Sequence, residues 1–246
     1  MAELRRIFVP PDAVHGDRML FEGEPLRHVR TVLRLAPGDE FSATDGAGSE
    51  YRVQVEHLGR DVGRAAILER TSPQRESALR TLLAQSVPKG DRFAFVLEKA
   101  VELGVSGVIP VLSRRTIRAV RTDAAACARW QRIVEGAVAQ SGRTRLPVVR
   151  RPTSLEELLR DPSLPGLRIF LREQASTGLR ELIAGCGQPE AVLVAVGPEG
   201  GWSAEEAQQA QDAGFLPARL GPRTLRTETA GIAALALVQH RWGDLG

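Results

Sequence analysis

Cysteine and lysine are scarce in this chain, long apolar runs are missing, and each scarcity closes off a class of protein. Only two cysteines, Cys127 and Cys186, occur in 246 residues. They lie far apart, with no C-x-x-C spacing and no clustered histidines, so neither a disulfide framework nor a zinc site is expected. Both read as reduced thiols. No stretch reaches the ~18 apolar residues of a membrane-spanning helix, and "MAELRRIFVPPDAV" has no apolar segment behind its arginines. A cytoplasmic location is expected. Of the 33 basic residues only Lys89 and Lys99 are lysines, a bias that genome composition alone can produce.

What is present is ordinary in bulk and uneven in detail. A content of 43% hydrophobic and 26% charged residues is that of a soluble globular protein and excludes extended disorder. Residues 1–72 hold ten arginines against twelve acidic residues, a net charge of −2. Ser113–Arg151 holds ten arginines against Asp123 and Glu135 only, a net of +8. Such a block predicts a polyanionic partner, because the planar guanidinium fork matches phosphate.

The first 70 residues are short strand-like runs broken by turns. Asp45-Gly46-Ala47-Gly48 stands between two of them, which predicts a hairpin. In "PLRHVRTVLRLAPGDEF", Leu26, Val29, Val32 and Leu33 have the spacing of an amphipathic turn or short helix that Pro37-Gly38 would end. A small, mostly β domain over 1–72 is expected, followed by a polar linker, "SPQRES". From there the rhythm becomes strand ("LRTLLAQSV"), helix ("GDRFAFVLEKAVEL", closed by Gly104) and strand ("VSGVIPVL"). That βαβ unit predicts an α/β domain with a parallel sheet over 73–246. A helix around Ala124–Ala139, a strand "LRIFLRE" and a buried last helix over Thr229–Arg241 complete it.

Two glycine turns stand out. "AVLVAVGPEGGWSAEE" runs from a buried strand through Gly197, Gly200 and Gly201 to Ser203 and Glu206, which have capping-box spacing; Gly214 suits the far end of that helix. A strand–turn–helix unit puts its turn at the carboxyl edge of the sheet, where open α/β folds bind ligands. The spacing is not G-x-G-x-x-G and no P-loop Lys-Ser or Lys-Thr follows, so dinucleotide and P-loop readings are weak. The second turn, "RLGPRTLRTETAG", carries two arginines, Thr227 as a candidate N-cap and Glu228 in the first turn of the last helix. The helix dipole or a surface ion pair with Arg226 explains that acid as well as catalysis does.

Taken together, "GPEGGWSAEE" and "LGPRTLRTETA" resemble the ribosomal RNA small subunit methyltransferase E family. "HVRTVLRLAPGDEF" and "DGAGSEY" resemble its N-terminal PUA-like RNA-binding domain, and "PKGDRFAFVLEKAVELGVSGVIPVLSRRT" the start of its methyltransferase domain. "QSGRTRLP" resembles its central arginine motif, although Ala139 stands where the family commonly has an acid. The resemblance implies an S-adenosylmethionine-dependent enzyme of the SPOUT class that methylates N3 of one uridine in 16S ribosomal RNA. A parallel α/β sheet with a C-terminal trefoil knot is implied, and so is a homodimer. The implied cofactor bed is three loops: Leu171 to Glu173, then Gly197, Glu199, Gly200 and Gly201, then Leu220, Gly221, Leu225 and Thr227. No metal is implied.

Uridine N3 bears a proton and needs a base or strong anion stabilisation before it can be methylated. Glu228 is the candidate base, with Glu199 as the alternative, and Arg226 the candidate donor to O2 or O4. Arg5, Arg6, Arg30 and Arg34 in the first domain, with Lys89, Arg114, Arg115, Arg143 and Arg145 in the second, are candidate RNA contacts that position without reading sequence. Trp202 is either a stacking surface or, the preferred reading, simple packing. A ribose 2′-O-methyltransferase of the same class, a non-catalytic RNA-binding chaperone and a nucleotide-dependent oxidoreductase remain alternatives.

Overall fold

The computed structural model describes residues 4–113 and 122–246. The chain forms two compact units: the stretch up to Glu76 together with Glu135–Leu146, and the remainder, Ser77–Val134 with Pro147–Gly246.

The first unit is a six-stranded sheet built from β1 (Arg6–Phe8), β2 (Val14–His15), β3 (Arg18–Glu22), β4 (Glu40–Thr44), β5 (Glu50–Leu58) and β6 (Val62–Thr71) in the order β1-β4-β5-β6-β3-β2. Only β1 pairs in parallel, with β4; the rest is antiparallel. In β5, buried Tyr51, Val53 and Val55 alternate with more exposed partners, the pattern of a sheet packed on one face. The predicted β4–β5 hairpin forms. Its Asp45 carboxylate accepts from the backbone N–H of Ala47 at 2.8 Å and of Ser49 at 3.1 Å, while Gly46 and Gly48 supply positive φ.

The segment before β4 forms the expected short helix, but not with α geometry throughout and not as far as Pro37-Gly38. A short α1 (Gly23–Arg27) passes into a π turn over His28–Val32. Five-residue hydrogen-bond spacing, as from Leu33 N–H to the His28 carbonyl, turns the helix more slowly per residue than the α spacing assumed. Leu26 and Val29 are buried, yet Val32 is 60% exposed. Arg34, at φ +54°, follows the turn well before Pro37-Gly38.

In the second unit β7 (Arg80–Ser86), α2 (Arg92–Glu102) and β8 (Gly107–Leu112) form the expected βαβ unit, β7 and β8 pairing in parallel. Phe93, Val96, Leu97, Ala100 and Val101 make one buried helical stripe, and Gly104 at φ +75° follows the helix end. There follow α3 (Ala124–Ser141), whose residues from Glu135 onward belong to the first unit, β9 (Val148–Val149), β10 (Thr153–Ser154), α4 (Leu155–Arg160), β11 (Leu167–Leu171), α5 (Leu179–Gly185), β12 (Ala191–Val196), α6 (Ala204–Asp212), β13 (Leu216–Ala218) and α7 (Thr227–Trp242). The sheet runs β10-β8-β7-β12-β11-β13, with β9 on β8, and every pair is parallel. β12 lies inside it, so a strand of five buried aliphatic residues is what its place requires.

Strand order does not follow chain order here. After β12 the chain crosses β11 to reach β13 at the edge, and α7 then packs on β12, β7 and α2. The carboxyl ends of β12, β11 and β13 therefore stand side by side, with their loops on one edge of the sheet.

Candidate cofactor and active site

The first glycine turn is held from both sides. Ser203 caps α6 in a full capping box with Glu206, and Gly201, at φ +67°, closes the turn by donating to the Pro198 carbonyl at 2.8 Å. Gly214, at φ +81°, follows the other end of α6 as expected. Gly197 has a different reason from the one expected. A Cβ there would stand 2.8 Å from the Trp202 indole nitrogen, so the missing side chain makes room for Trp202. Trp202 is itself stacked on Phe170, with centroids 4.8 Å apart and planes 25° apart, in agreement with the packing role preferred for it.

The second turn meets the first through α7. Thr227 is not the cap: Arg226 holds the N-cap position in extended backbone and Thr227 is the first helical residue. Its hydroxyl is used elsewhere, donating to the Gly197 carbonyl and accepting from the Gln85 amide at 2.8 Å. Gln85 is fully buried on β7, and a Cβ on Gly231 of α7 would lie 2.6 Å from its carbonyl oxygen. One buried amide and one hydroxyl thus lock the start of α7 to the first glycine turn. The third loop is fastened by Arg219, whose guanidinium donates to the Ala175 and Ser176 carbonyls, and by Arg172 N–H on the Ala218 carbonyl at 2.9 Å.

These three loops enclose a cavity of about 730 Å³. Its wall contains all ten residues expected there: Leu171, Glu173, Gly197, Glu199, Gly200, Gly201, Leu220, Gly221, Leu225 and Thr227. Arg226 also lines it and is exposed. Glu228 does not line it. Its side chain is 10% exposed, one carboxylate oxygen has no hydrogen-bond partner, and its ion-pair contact is Arg92 at 4.0 Å. As the group that meets the cavity wall, Glu199 is better placed than Glu228.

Arg92 and Arg219 line the cavity from outside the three expected loops, and Arg172 and Arg223 line it from within them. Arg92 was within reach of the rule used for the glycine turns, since it opens the helix after β7, the strand beside β12. Gln85 carried no such signal, because its hydroxyl partner lies 142 residues away.

The candidate RNA contacts fare unevenly. Arg5, Arg30, Arg34, Lys89 and Arg145 are exposed, although Arg5 donates to the Leu33 carbonyl and Arg30 to those of Gly59 and Arg60. Arg114 and Arg115 lie outside the described residues. Arg143 is a correction. Its side chain is 8% exposed and forms an ion pair with Glu76 at 2.6 Å, and both Arg143 and Arg145 belong to the first unit. Burial alone would raise the Glu76 carboxyl. The Arg143 hydrogen bonds and charge, with backbone N–H bonds from Arg145 and Thr144, outweigh that and hold it below the usual carboxylate range. Arg6 is likewise committed, to Glu50 at 2.8 Å. These arginines fasten the fold. Among the described residues no cluster of metal-binding side chains occurs, and no helix is long and apolar enough to cross a membrane.

The fold and cavity define the class: residues 75–239 match the RNA methyltransferase domain family and residues 21–61 the RNA methyltransferase PUA domain family. A ribosomal RNA small subunit methyltransferase E from Synechocystis is 34% identical over 235 residues, covering 95% of this chain and 76% of its own. The chain belongs to the ribosomal RNA small subunit methyltransferase E family. A member from Neisseria gonorrhoeae, solved bound to S-adenosyl methionine, is 36% identical with a TM-score of 0.88, covering 99% of this chain and 100% of its own. A Legionella pneumophila protein described as a methyltransferase, solved with the same cofactor, is 34% identical with a TM-score of 0.92 and equal coverage.

Proposed function

We propose that this protein uses S-adenosylmethionine to methylate N3 of one uridine in 16S ribosomal RNA, in the cytoplasm and on an assembled small subunit. The observation that carries the reading is the cavity on the carboxyl edge, whose wall holds every expected cofactor residue; two solved proteins of the same fold hold that cofactor. The residues present fit it. The volume lies within the ~300–1,000 Å³ of small-molecule sites, and Gly201 and Gly221 leave open space where a side chain would stand. The Arg172 Nε, buried with no hydrogen-bond partner, is a donor suited to the cofactor's carboxylate.

The cofactor supplies a methyl group already activated as a sulfonium. Leu171, Val196 and Leu225 provide apolar surface, and Glu173 and Glu199 offer acceptors for hydroxyl and ammonium groups. Uridine N3 must lose its proton to a base within hydrogen-bond reach. Glu228 or Glu199 takes that role, and Arg226 at the rim donates to the uracil oxygens as negative charge develops. Arg5, Arg30, Arg34, Lys89 and Arg145 bind phosphate. The RNA-binding domain is assigned to 1–72 and the methyltransferase domain to 73–246, with Glu135–Leu146 of the latter lying in the first compact unit, and the path of the chain across β11 and back through α7 supports a trefoil knot. The active form is a homodimer.

Small subunits from a strain lacking the enzyme, incubated with the protein and S-adenosylmethionine, should gain one strong reverse-transcription stop at a single uridine, because N3 lies on the pairing edge. A product that gives no stop yet resists alkaline cleavage at one position would establish ribose methylation instead.

A further inference from the structure

Arg92 opens α2 and stands where three loops of the carboxyl edge converge. Its Nε donates to the Lys89 carbonyl at 3.3 Å, and one terminal nitrogen meets Glu199 Oε1 at 3.1 Å. The other faces Glu228 Oε2 across 4.0 Å. The two carboxylates are not equivalent. Glu199 lines the cavity and one of its two carboxylate oxygens, Oε1, is engaged by both Arg92 and the backbone N–H of Lys89, whereas Glu228 stands off the cavity wall with its Oε2 buried and without a hydrogen-bond donor.

We propose that Arg92 is a positioning residue for the transfer: held by the Lys89 carbonyl and facing the buried Glu228, it grips one oxygen of Glu199 and so fixes that carboxylate on the cavity wall as the proton acceptor. Arg92 then acts through Glu199, on the first glycine turn. The planar fork matters, because it reaches a carbonyl and two carboxylates at fixed angles, which an ammonium does not. This rests on the methyltransferase reading above.

The test is steady-state kinetics with S-adenosylmethionine carrying a labelled methyl group and small ribosomal subunits, alongside calorimetric cofactor affinity and melting temperature, for wild type, Arg92→Lys, Arg92→Met, Glu199→Gln and Arg92→Met combined with Glu199→Gln. Misplacing a reacting group by about 1 Å costs roughly 100-fold. Arg92→Met should therefore lower kcat by about that factor, with KM, cofactor affinity and melting temperature near wild type. Arg92→Lys should recover part of the loss, and adding Arg92→Met to Glu199→Gln should cost nothing more, since Arg92 acts through Glu199. An undiminished kcat in Arg92→Met, a loss confined to cofactor affinity, or additive effects would overturn the assignment. Wild-type protein that transfers no methyl group to the subunits would overturn the underlying reading and this assignment with it, a result plainly distinct from an active wild type with an indifferent Arg92.

Discussion

The two glycine turns look alike as sequence and differ as structure. In the first, Gly197 has ordinary backbone but no room, because the Trp202 indole occupies the space of a side chain. In the second, Gly221 has open space and a φ of +69°, so only its backbone conformation calls for glycine. A Cβ is excluded by a neighbour in one case and by local sterics in the other. Neither reason requires the cofactor, although both turns line the cavity.

That contrast can be broken or sharpened by substitution. The largest effect belongs to Gly197→Val, which drives a branched side chain into the Trp202–Phe170 stack. It should cost about 3 kcal/mol, at the upper end for overpacking, and lower the melting temperature before any ligand is added. An unchanged melting temperature would return Gly197 to a purely ligand-facing role. Next comes Thr227→Val, which strips the Gln85 amide and the Gly197 carbonyl of their buried partner and should cost roughly 2 kcal/mol in denaturant unfolding. A loss below that of an ordinary surface substitution would show that the two turns are not locked through α7. Smallest is Gly221→Ala, about 1 kcal/mol from the left-handed backbone alone. A cost as large as that of Gly197→Val would erase the distinction between the turns.

The first unit provides a contrast of another kind, since it spends arginine on internal carboxylates. The folded Glu76 carboxyl is held below its unfolded value, so its contribution is present above the ordinary carboxylate range and is lost as pH falls through the lowered value. Glu76→Gln should flatten the acid side of the stability profile and weaken the protein at neutral pH, measured by thermal melting across pH. An acid limb as steep as wild type would show that the Glu76–Arg143 pair does not carry it.

What could be read in the sequence was local. The aliphatic run Ala191–Val196, the Ser203–Glu206 capping box and the Asp45–Gly48 hairpin each state their own geometry within a few residues, and all formed. The place of the first glycine turn was legible for the same reason, because strand–turn–helix units put their turns on a known edge of the sheet, whereas the rest of the cavity wall was expected only through the family resemblance. What was hidden depended on distant partners. The crossing from β12 over β11 to β13 leaves no periodic trace. Glu76 reaches Arg143 across 67 residues, which is why that arginine, read as an RNA contact, proved to hold the fold together. The π turn was missed because Leu26, Val29, Val32 and Leu33 fit an α spacing until the backbone turns more slowly.

The central claim is that the three loops on the carboxyl edge of the second unit bind S-adenosylmethionine. Calorimetric titration of the wild-type protein with S-adenosylmethionine and, separately, with NAD measures this most directly. Saturable binding of S-adenosylmethionine at one site per chain, with no heat from NAD, is the predicted result. Binding of NAD without binding of S-adenosylmethionine would contradict it and make the cavity a nucleotide site of another chemistry.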